Sequence, residues 1–156
     1  MHSDILKEVY EKYHREIYIY IYSICKNKAQ AEDILQETFL KALLTLPDDN
    51  RALRAWLYKV ARNITFNEIK KNKRCEELKE DTLLEEREML PNERLMKSLN
   101  KLSPIKKEVL LLQYIGGFDQ NEIARILNTS PNNVRVLSFR GRNELRKLME
   151  GKEDDI

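Results

Sequence analysis

A stripe of cationic and aromatic side chains near the carboxyl end of the chain has the chemistry to bind nucleic acid. Its members recur at helical spacing and are Arg135, Phe139, Arg142 and Arg146, with Val136 and Arg140 beside them. Arginine reaches phosphates or pairs bidentately with the O6 and N7 atoms of guanine, and apolar groups can contact thymine methyls. A solvated cationic face on an ordinary bundle helix is the simpler interpretation, so the elements that carry the stripe must decide between the two.

The residues before the stripe predict a helix-turn-helix. Asp119 and Glu122 form a capping-box pattern, and an apolar face at helical spacing follows them. Ser130 is a good N-cap and Pro131 occupies the first helical position, so the next helix should cover about 131–149. The stripe then lies on the second helix, which a helix-turn-helix presents to the major groove of DNA. This placement favours a DNA-binding surface over a solvated face.

The composition indicates an all-α protein with basic and acidic segments. The chain has 156 residues, is 42% hydrophobic, and contains only four glycines and four prolines, so one or two helical domains fit. The net charge is only +2, but basic residues outnumber acidic ones in 1–74 and 101–150. Acidic residues dominate 75–100 and the short tail 151–156. Two basic blocks therefore flank an acidic segment, and basic blocks favour a polyanionic partner.

Several classes of protein lack support in the sequence. Cys25 and Cys75 form no CxxC motif, and His2 and His14 are not at ligand spacing with them, so we expect no metal site. The chain shows no phosphate-binding loop and no Ser/His/Asp set, so we expect no enzyme and no cofactor. It also lacks a signal-peptide pattern and any apolar run long enough to span a bilayer. These features predict a soluble, cytoplasmic protein.

The amino-terminal part predicts a first helix over residues 4–25 and a second helix starting near Asn27. The inner face of the first helix should comprise Ile5, Leu6, Val9, Tyr13, Ile17, Tyr20, Ile21 and Ile24. The side of the second helix opposite its apolar face carries Asp33, Gln36, Glu37 and Leu40. This polar stripe ending in an exposed leucine suits a protein interface. Alternatively, the acidic residues only complement the helix dipole and the leucine is a scattered surface residue.

A third helix, over about 51–71, should carry a basic side. That side comprises Arg54, Lys59, Arg62, Asn63, Phe66, Asn67, Lys70 and Lys71. Cations interleaved with amides and an aromatic ring are the composition of a groove for single-stranded nucleic acid. The alternative is a solvated basic face with Phe66 packed inward.

The acidic segment predicts a linker between two small helical domains. We place the first domain at 1–72, the flexible linker at 73–100 and the helix-turn-helix domain at 101–150, followed by the acidic tail. Part of the linker, especially 93–100, has helical character. Ser103 and Pro104 then start the helix that precedes the helix-turn-helix.

Three runs of sequence resemble bacterial RNA polymerase sigma factors. AEDILQETFLKAL (31–43) and AWLYKVARN (55–63) are similar to sigma region 2. The run LSPIKKEVLLLQYIGGFDQNEIARILNTSPNNVRVLSFRGRNELRKL (102–148) is similar to sigma region 4. With only a short linker between these blocks, the chain resembles the extracytoplasmic-function (ECF) class of the sigma-70 family.

The resemblance implies a set of partners and sites. Asp33, Gln36, Glu37 and Leu40 match the surface that docks on the β′ clamp helices of core RNA polymerase, and region 4 would meet the β flap. In the family, the loop from Pro47 to Arg54 and the helix after it read and unpair the minus-10 promoter element. The resemblance further implies that an anti-sigma factor holds the two domains.

The implied DNA contacts fall on two helices. Asn63 matches the asparagine that helps to hold a flipped base, and the backbone contacts would be Lys59, Arg62, Asn67 and Lys70. The minus-35 element would be read by Asn133, Arg135, Val136, Phe139, Arg140 and Arg142. Asn132 and Asn133 stand where the family usually has Gly-Thr, Val136 where a small or polar residue is commoner, and the loop at Pro47 lacks a frequent aromatic residue. The promoter sequence that this chain recognises therefore cannot be inferred from the family.

One alternative from another class is a helix-turn-helix transcriptional regulator whose amino-terminal helical domain dimerises or senses a signal. The stripe from Asp33 to Leu40 discriminates between the two. A dimerisation domain would bury the stripe against its own copy, whereas a sigma factor would leave it exposed for polymerase.

Overall fold

The fold consists of α-helices in two separate units. A computed structural model describes residues 2–45, 53–72 and 93–151, and all regular secondary structure within those ranges is helical. The chain divides into a first unit, Met1–Met89, and a second unit, Leu90–Ile156. The prediction of an all-α protein with two small helical domains is confirmed.

The first unit packs three helices around one apolar core. They are α1 (His2–Cys25), α2 (Lys28–Thr45) and α3 (Leu53–Asn72). A left-handed residue, Lys26 (φ 58°), ends α1, and the Asn27 side chain accepts a 2.8 Å hydrogen bond from the Gln30 backbone N–H. This N-cap confirms Asn27 as the start signal of α2. The fully buried side chains at the centre are Ile17, Tyr20, Ile21, Ile34, Leu57 and Tyr58.

The prediction that Ile5 lies on the buried inner face of α1 is wrong. Ile5 is 47% exposed, whereas burial along α1 begins at Val9. Helix α1 has 24 residues and its hairpin partner α2 has 18. Because the two helices run in opposite directions from the same tight turn, the first turns of α1 extend past the last described residue of α2.

The second unit contains α4 (Glu93–Leu99), α5 (Pro104–Tyr114), α6 (Gln120–Leu127) and α7 (Pro131–Glu150). The sequence placed 93–100 in the linker, but α4 packs on α7 within this unit. Met96 and Leu99 are buried, the Arg94 guanidinium donates to the Met149 carbonyl oxygen, and the Lys107 ammonium donates to the Asn100 side chain at 2.7 Å. The rest of the predicted linker lies outside the described residues.

The helix-turn-helix prediction is confirmed in its capping details. The Asp119 carboxylate accepts from the Glu122 backbone N–H at 2.9 Å, and the Glu122 carboxylate accepts from the Asp119 backbone N–H at 3.0 Å. Asn128 ends α6 in a left-handed conformation (φ 59°). The Ser130 hydroxyl then accepts from the Asn133 N–H at 3.1 Å, and Pro131 occupies the first turn of α7.

Candidate functional surfaces

The stripe on α2 lies on the surface of the first unit. Asp33, Gln36, Glu37 and Leu40 are all exposed, and the Leu40 side chain is 58% exposed. Leu44, one helical turn further, is 78% exposed and extends the apolar end of the stripe. Sequence analysis missed Leu44, although its i+4 spacing from Leu40 was a usable signal.

The stripe faces outward because the other side of α2 is committed to the core. Ile34, Leu35 and Phe39 are at most 6% exposed. Thr38 is fully buried, and its hydroxyl donates to the Ile34 carbonyl oxygen at 2.8 Å, so its polar group needs no outside partner. These contacts fix the rotation of α2 about its axis.

The basic side of α3 is a mixed surface. Lys59, Asn63, Asn67 and Lys70 are exposed, whereas Arg62 is half-buried. The guanidinium carbon of Arg62 lies 5.0 Å from the centre of the Phe66 ring, which is within the range of a cation–π interaction. Phe66 is half-buried, so it is neither a fully packed core residue nor a free platform. The four exposed residues lie together with the Arg62–Phe66 pair along one side of the helix.

The sequence predicted that Arg54 belongs to the basic side of α3, but the structure pairs it with an acidic residue of α1. Its guanidinium binds the Glu16 carboxylate of α1 through two contacts, Nη2–Oε1 at 2.9 Å and Nε–Oε2 at 3.3 Å. The Tyr58 hydroxyl donates to the same carboxylate at 2.6 Å. Burial, with the hydrogen bond to the Glu16 carboxylate, raises the pKa of the Tyr58 phenol well above its ordinary value. These three side chains form the Glu16 cluster, which sequence analysis did not predict.

The predicted stripe on α7 is also a surface. Asn133, Arg135, Arg140 and Arg142 are exposed, Phe139 is 60% exposed, and Val136 is half-buried rather than fully exposed. Three contacts orient these side chains. The Asn133 amide donates to the Thr129 hydroxyl at 3.0 Å, the Arg135 guanidinium donates to the Asn132 side chain, and Arg142 Nε donates to the Ser138 carbonyl oxygen at 3.2 Å.

The opposite side of α7 is fixed against α5. Val134 is 1% exposed, and the Ser138 hydroxyl donates to the Gln113 side chain at 2.7 Å. A side-chain carbon at Gly141 would lie 3.4 Å from the Leu110 side chain, an ordinary van der Waals contact, so the two helices pack directly against each other here. The stripe is therefore carried by a helix whose rotation is set by buried contacts.

Other kinds of site find no support in the described part of the chain. No group of three or more His, Cys, Asp or Glu side chains there could hold a metal ion. None of the described helices combines the length and the hydropathy that crossing a membrane requires. Cys25 ends α1 half-buried. Positions 47–52 of the predicted minus-10 loop and the second cysteine, Cys75, lie outside the described residues, whereas Leu53 and Arg54, which the prediction placed in the loop, begin α3.

Comparison with known families assigns both units. Residues 9–75 match the family model Sigma-70 region 2, and residues 92–145 match the family model Sigma-70, region 4. The region 2 match favours a sigma factor over a helix-turn-helix regulator with an unrelated amino-terminal domain. The region 4 match starts near α4, in agreement with the packing of that helix in the second unit.

Two RNA polymerase sigma factors are similar to the chain over nearly its whole length. The chain is 31% identical over 165 residues to the RNA polymerase sigma factor YlaC of Bacillus subtilis (strain 168), covering 95% of this chain and 94% of that protein. It is 29% identical over 153 residues to the ECF RNA polymerase sigma factor SigM of the same strain, covering 92% and 94%.

Two solved structures share the fold. CnrH in complex with the cytosolic domain of CnrY has a TM-score of 0.75 at 22% identity, over 96% of this chain and 90% of that chain. The sigma factor RpoE from Bartonella quintana, bound to the anti-sigma factor NepR, has a TM-score of 0.75 at 21% identity, over 92% and 96%. The two region matches, together with the near-complete coverage of YlaC and SigM, show that the chain belongs to the ECF class of the sigma-70 family of RNA polymerase sigma factors.

Proposed function

We propose that the chain binds core RNA polymerase and directs it to promoters with minus-10 and minus-35 elements. The observation that carries this proposal is the combination of two outward surfaces on the first unit, the acidic stripe of α2 and the basic side of α3. The second unit adds a basic helix-turn-helix. A protein that recruits a polymerase to DNA needs one surface for the enzyme and at least one for the DNA.

The stripe of α2 is the proposed docking surface for the β′ clamp helices. Asp33 and Glu37 supply negative charge, Gln36 supplies hydrogen-bonding groups, and Leu40 supplies an apolar contact. Exposed apolar area flanked by charge is typical of a protein interface, in which the apolar centre contributes affinity and the charges contribute orientation. Leu44 extends the same surface.

The exposed side of α3 is the proposed minus-10 surface. Lys59, Arg62, Asn67 and Lys70 would contact phosphates of the melted strand, and the Asn63 amide would hydrogen-bond the edge of a flipped base. An amide offers both a donor and an acceptor, so it can recognise a base edge that is free of its Watson–Crick partner.

Residues on the exposed side of α7 form the proposed minus-35 surface. They are Asn133, Arg135, Val136, Phe139, Arg140 and Arg142. They lie on the second helix of the helix-turn-helix, and its first two turns hold the amino-terminal members that reach base edges in such motifs. Region 4 would also contact the β flap. Since CnrH and RpoE are each seen bound to another protein, CnrY or NepR, we infer that an anti-sigma factor also binds this chain.

We assign no catalytic step to this chain, because RNA synthesis belongs to the polymerase that it recruits. The place of action is then the bacterial cytoplasm, where polymerase and promoter DNA meet.

Run-off transcription tests the proposal. Core polymerase with and without the chain would be supplied with genomic DNA fragments at several salt concentrations, because phosphate contacts depend steeply on salt. We expect start sites that require the chain, each preceded by the same pair of sequence elements. The absence of chain-dependent start sites at every salt concentration would refute the proposal.

Sedimentation of the isolated chain tests the regulator alternative. A dimerisation domain would bury the α2 stripe, and Leu40→Glu would then convert a dimer into a monomer. We expect a monomer before and after the substitution, and loss of core polymerase binding after it.

A further inference from the structure

The Glu16 cluster joins the start of α3 to the middle of α1. Glu16 accepts from Arg54 through both of its oxygens and from the Tyr58 hydroxyl at 2.6 Å. The Arg54 guanidinium also lies 5.7 Å from the centre of the Tyr58 ring. Tyr58 is fully buried and packs on Tyr20 of α1, with ring centres 5.1 Å apart. One carboxylate therefore organises two side chains one helical turn apart on α3.

Electrostatics explains why Arg54 is held in this way. The first turn of α3 contains Arg54 and no acidic residue, and a cation at the positive end of the helix dipole is unfavourable. Glu16 supplies the missing negative charge from a different helix. The side chains of Arg54 and Glu16 are 30% and 24% exposed, so solvent screens their attraction less than that of a surface pair. Arg54 is consequently held against α1 by a half-buried ion pair.

The position of the cluster connects it to the proposed minus-10 surface. Lys59 follows Tyr58 directly, and Asn63 lies just over one helical turn further along the exposed side. A helix is stiff over so short a distance, so fixing Arg54 and Tyr58 against α1 fixes the rotation of the exposed side of α3. Bidentate contacts restrict orientation as well as distance.

We propose that Glu16, Arg54 and Tyr58 are positioning residues for promoter opening, and that Arg54 is not a DNA ligand. The inference rests on the proposed function of α3. It assigns the cluster to the step in which the minus-10 bases unpair. Asn63 and its basic neighbours must be held in fixed positions to bind a flipped base, because misplaced side chains bind it more weakly.

A charge swap between α1 and α3 provides the test. Holoenzyme would be assembled from core polymerase and the full chain carrying Glu16→Arg, Arg54→Glu, or both. Permanganate reactivity of unpaired thymines would report opening at a chain-dependent promoter, at a temperature where circular dichroism shows every variant folded. We expect each single substitution to reduce opening roughly tenfold, in line with the strength of hydrogen bonds to charged groups. The double substitution restores the ion pair and should recover most of the loss.

A DNA-contacting Arg54 would give the opposite pattern. The double substitution would then stay defective, because position 54 would carry a negative charge facing phosphate. Arg54→Gln would also lower the salt dependence of promoter binding by about 0.7 to 0.9 in the logarithmic slope. Either result, or unchanged opening by the folded single variants, would overturn the inference.

Tyr58→Phe and Glu16→Gln keep the inference testable if the swap does not fold. Both should reduce opening while leaving core binding and the salt slope unchanged, and stronger promoter binding by Glu16→Gln would overturn the inference. Glu68→Gln is the matched control, since Glu68 pairs only loosely with Lys71 on its own helix at 3.8 Å. If the proposed function itself fails, the wild-type chain will not open the promoter, and the variants need not be compared.

Discussion

Arg135 provides the sharpest test of base reading on α7. Its guanidinium is exposed and donates one hydrogen bond to the Asn132 side chain, one helical turn earlier. A guanidinium has further N–H donors, so this contact leaves a fork available for a bidentate pair with guanine. The Asn132 contact should therefore hold Arg135 ready for binding rather than compete with the DNA. We predict that Arg135→Ala weakens recognition of one base pair in the minus-35 element.

The expected magnitude follows from the two possible contacts. A bidentate pair with a base discriminates by about 1–3 kcal/mol, which is roughly 5-fold to 150-fold in affinity. A phosphate contact lowers affinity for all sequences and reduces the salt slope by about 0.9. If Asn132 orients Arg135 through a hydrogen bond, Asn132→Ala should cost roughly twofold to tenfold. That cost should vanish when Arg135 is already alanine.

Fluorescence anisotropy with holoenzyme and a set of promoters, each changed at one minus-35 position, would measure these effects. We expect Arg135→Ala to remove the discrimination at one position and to leave the others and core binding unchanged. Arg15→Ala, which removes an exposed arginine outside every proposed surface, is the matched control. Equal loss on every promoter, together with a smaller salt slope, would show that Arg135 contacts only phosphate. Unchanged affinity would remove it from the interface.

Four further substitutions test local structure and docking. Asp119→Ala removes the capping box and should lower the free energy of unfolding of the second unit by about 1 kcal/mol in urea denaturation; an unchanged value would refute the role of the cap. Gly116→Ala should destabilise by about 1–3 kcal/mol, because the added carbon would lie 2.7 Å from the Leu112 carbonyl oxygen. Gly141→Ala meets only ordinary contacts and should gain up to about 1 kcal/mol in the same assay, so equal losses from the two glycines would contradict the packing argument. Leu40→Glu should abolish core polymerase binding while leaving the thermal unfolding midpoint unchanged, since the side chain is 58% exposed.

Local signals were sufficient to predict the helix-turn-helix. Asp119 with Glu122, and Ser130 with Pro131, specify helix starts through groups at most three residues apart. Such signals depend on the backbone next to them and not on the rest of the fold. The family resemblance then located the candidate surfaces, and helical periodicity placed the stripe residues of α2 and α7 on the outer faces where the structure has them.

Contacts between distant parts of the chain were not predictable in this way. Glu16 lies 38 residues from Arg54 and 42 from Tyr58, and glutamate and arginine are residue types that are mostly exposed. Their burial depends on how α3 rests on α1, which no local pattern encodes. The same reason explains α4, whose buried Met96 and Leu99 lie in a charged segment and join a core by packing on α7.

The charges of the first unit are arranged so that its two proposed partners need not compete. The α2 stripe exposes Asp33 and Glu37, whereas α3 exposes Lys59 and Lys70. Promoter phosphates are repelled by the first surface and attracted by the second, and complementary potentials mainly select partners and guide their approach. Because Asp33 and Glu37 lie on α2 and Lys59 and Lys70 lie on α3, the two proposed sites occupy different helices and need not overlap.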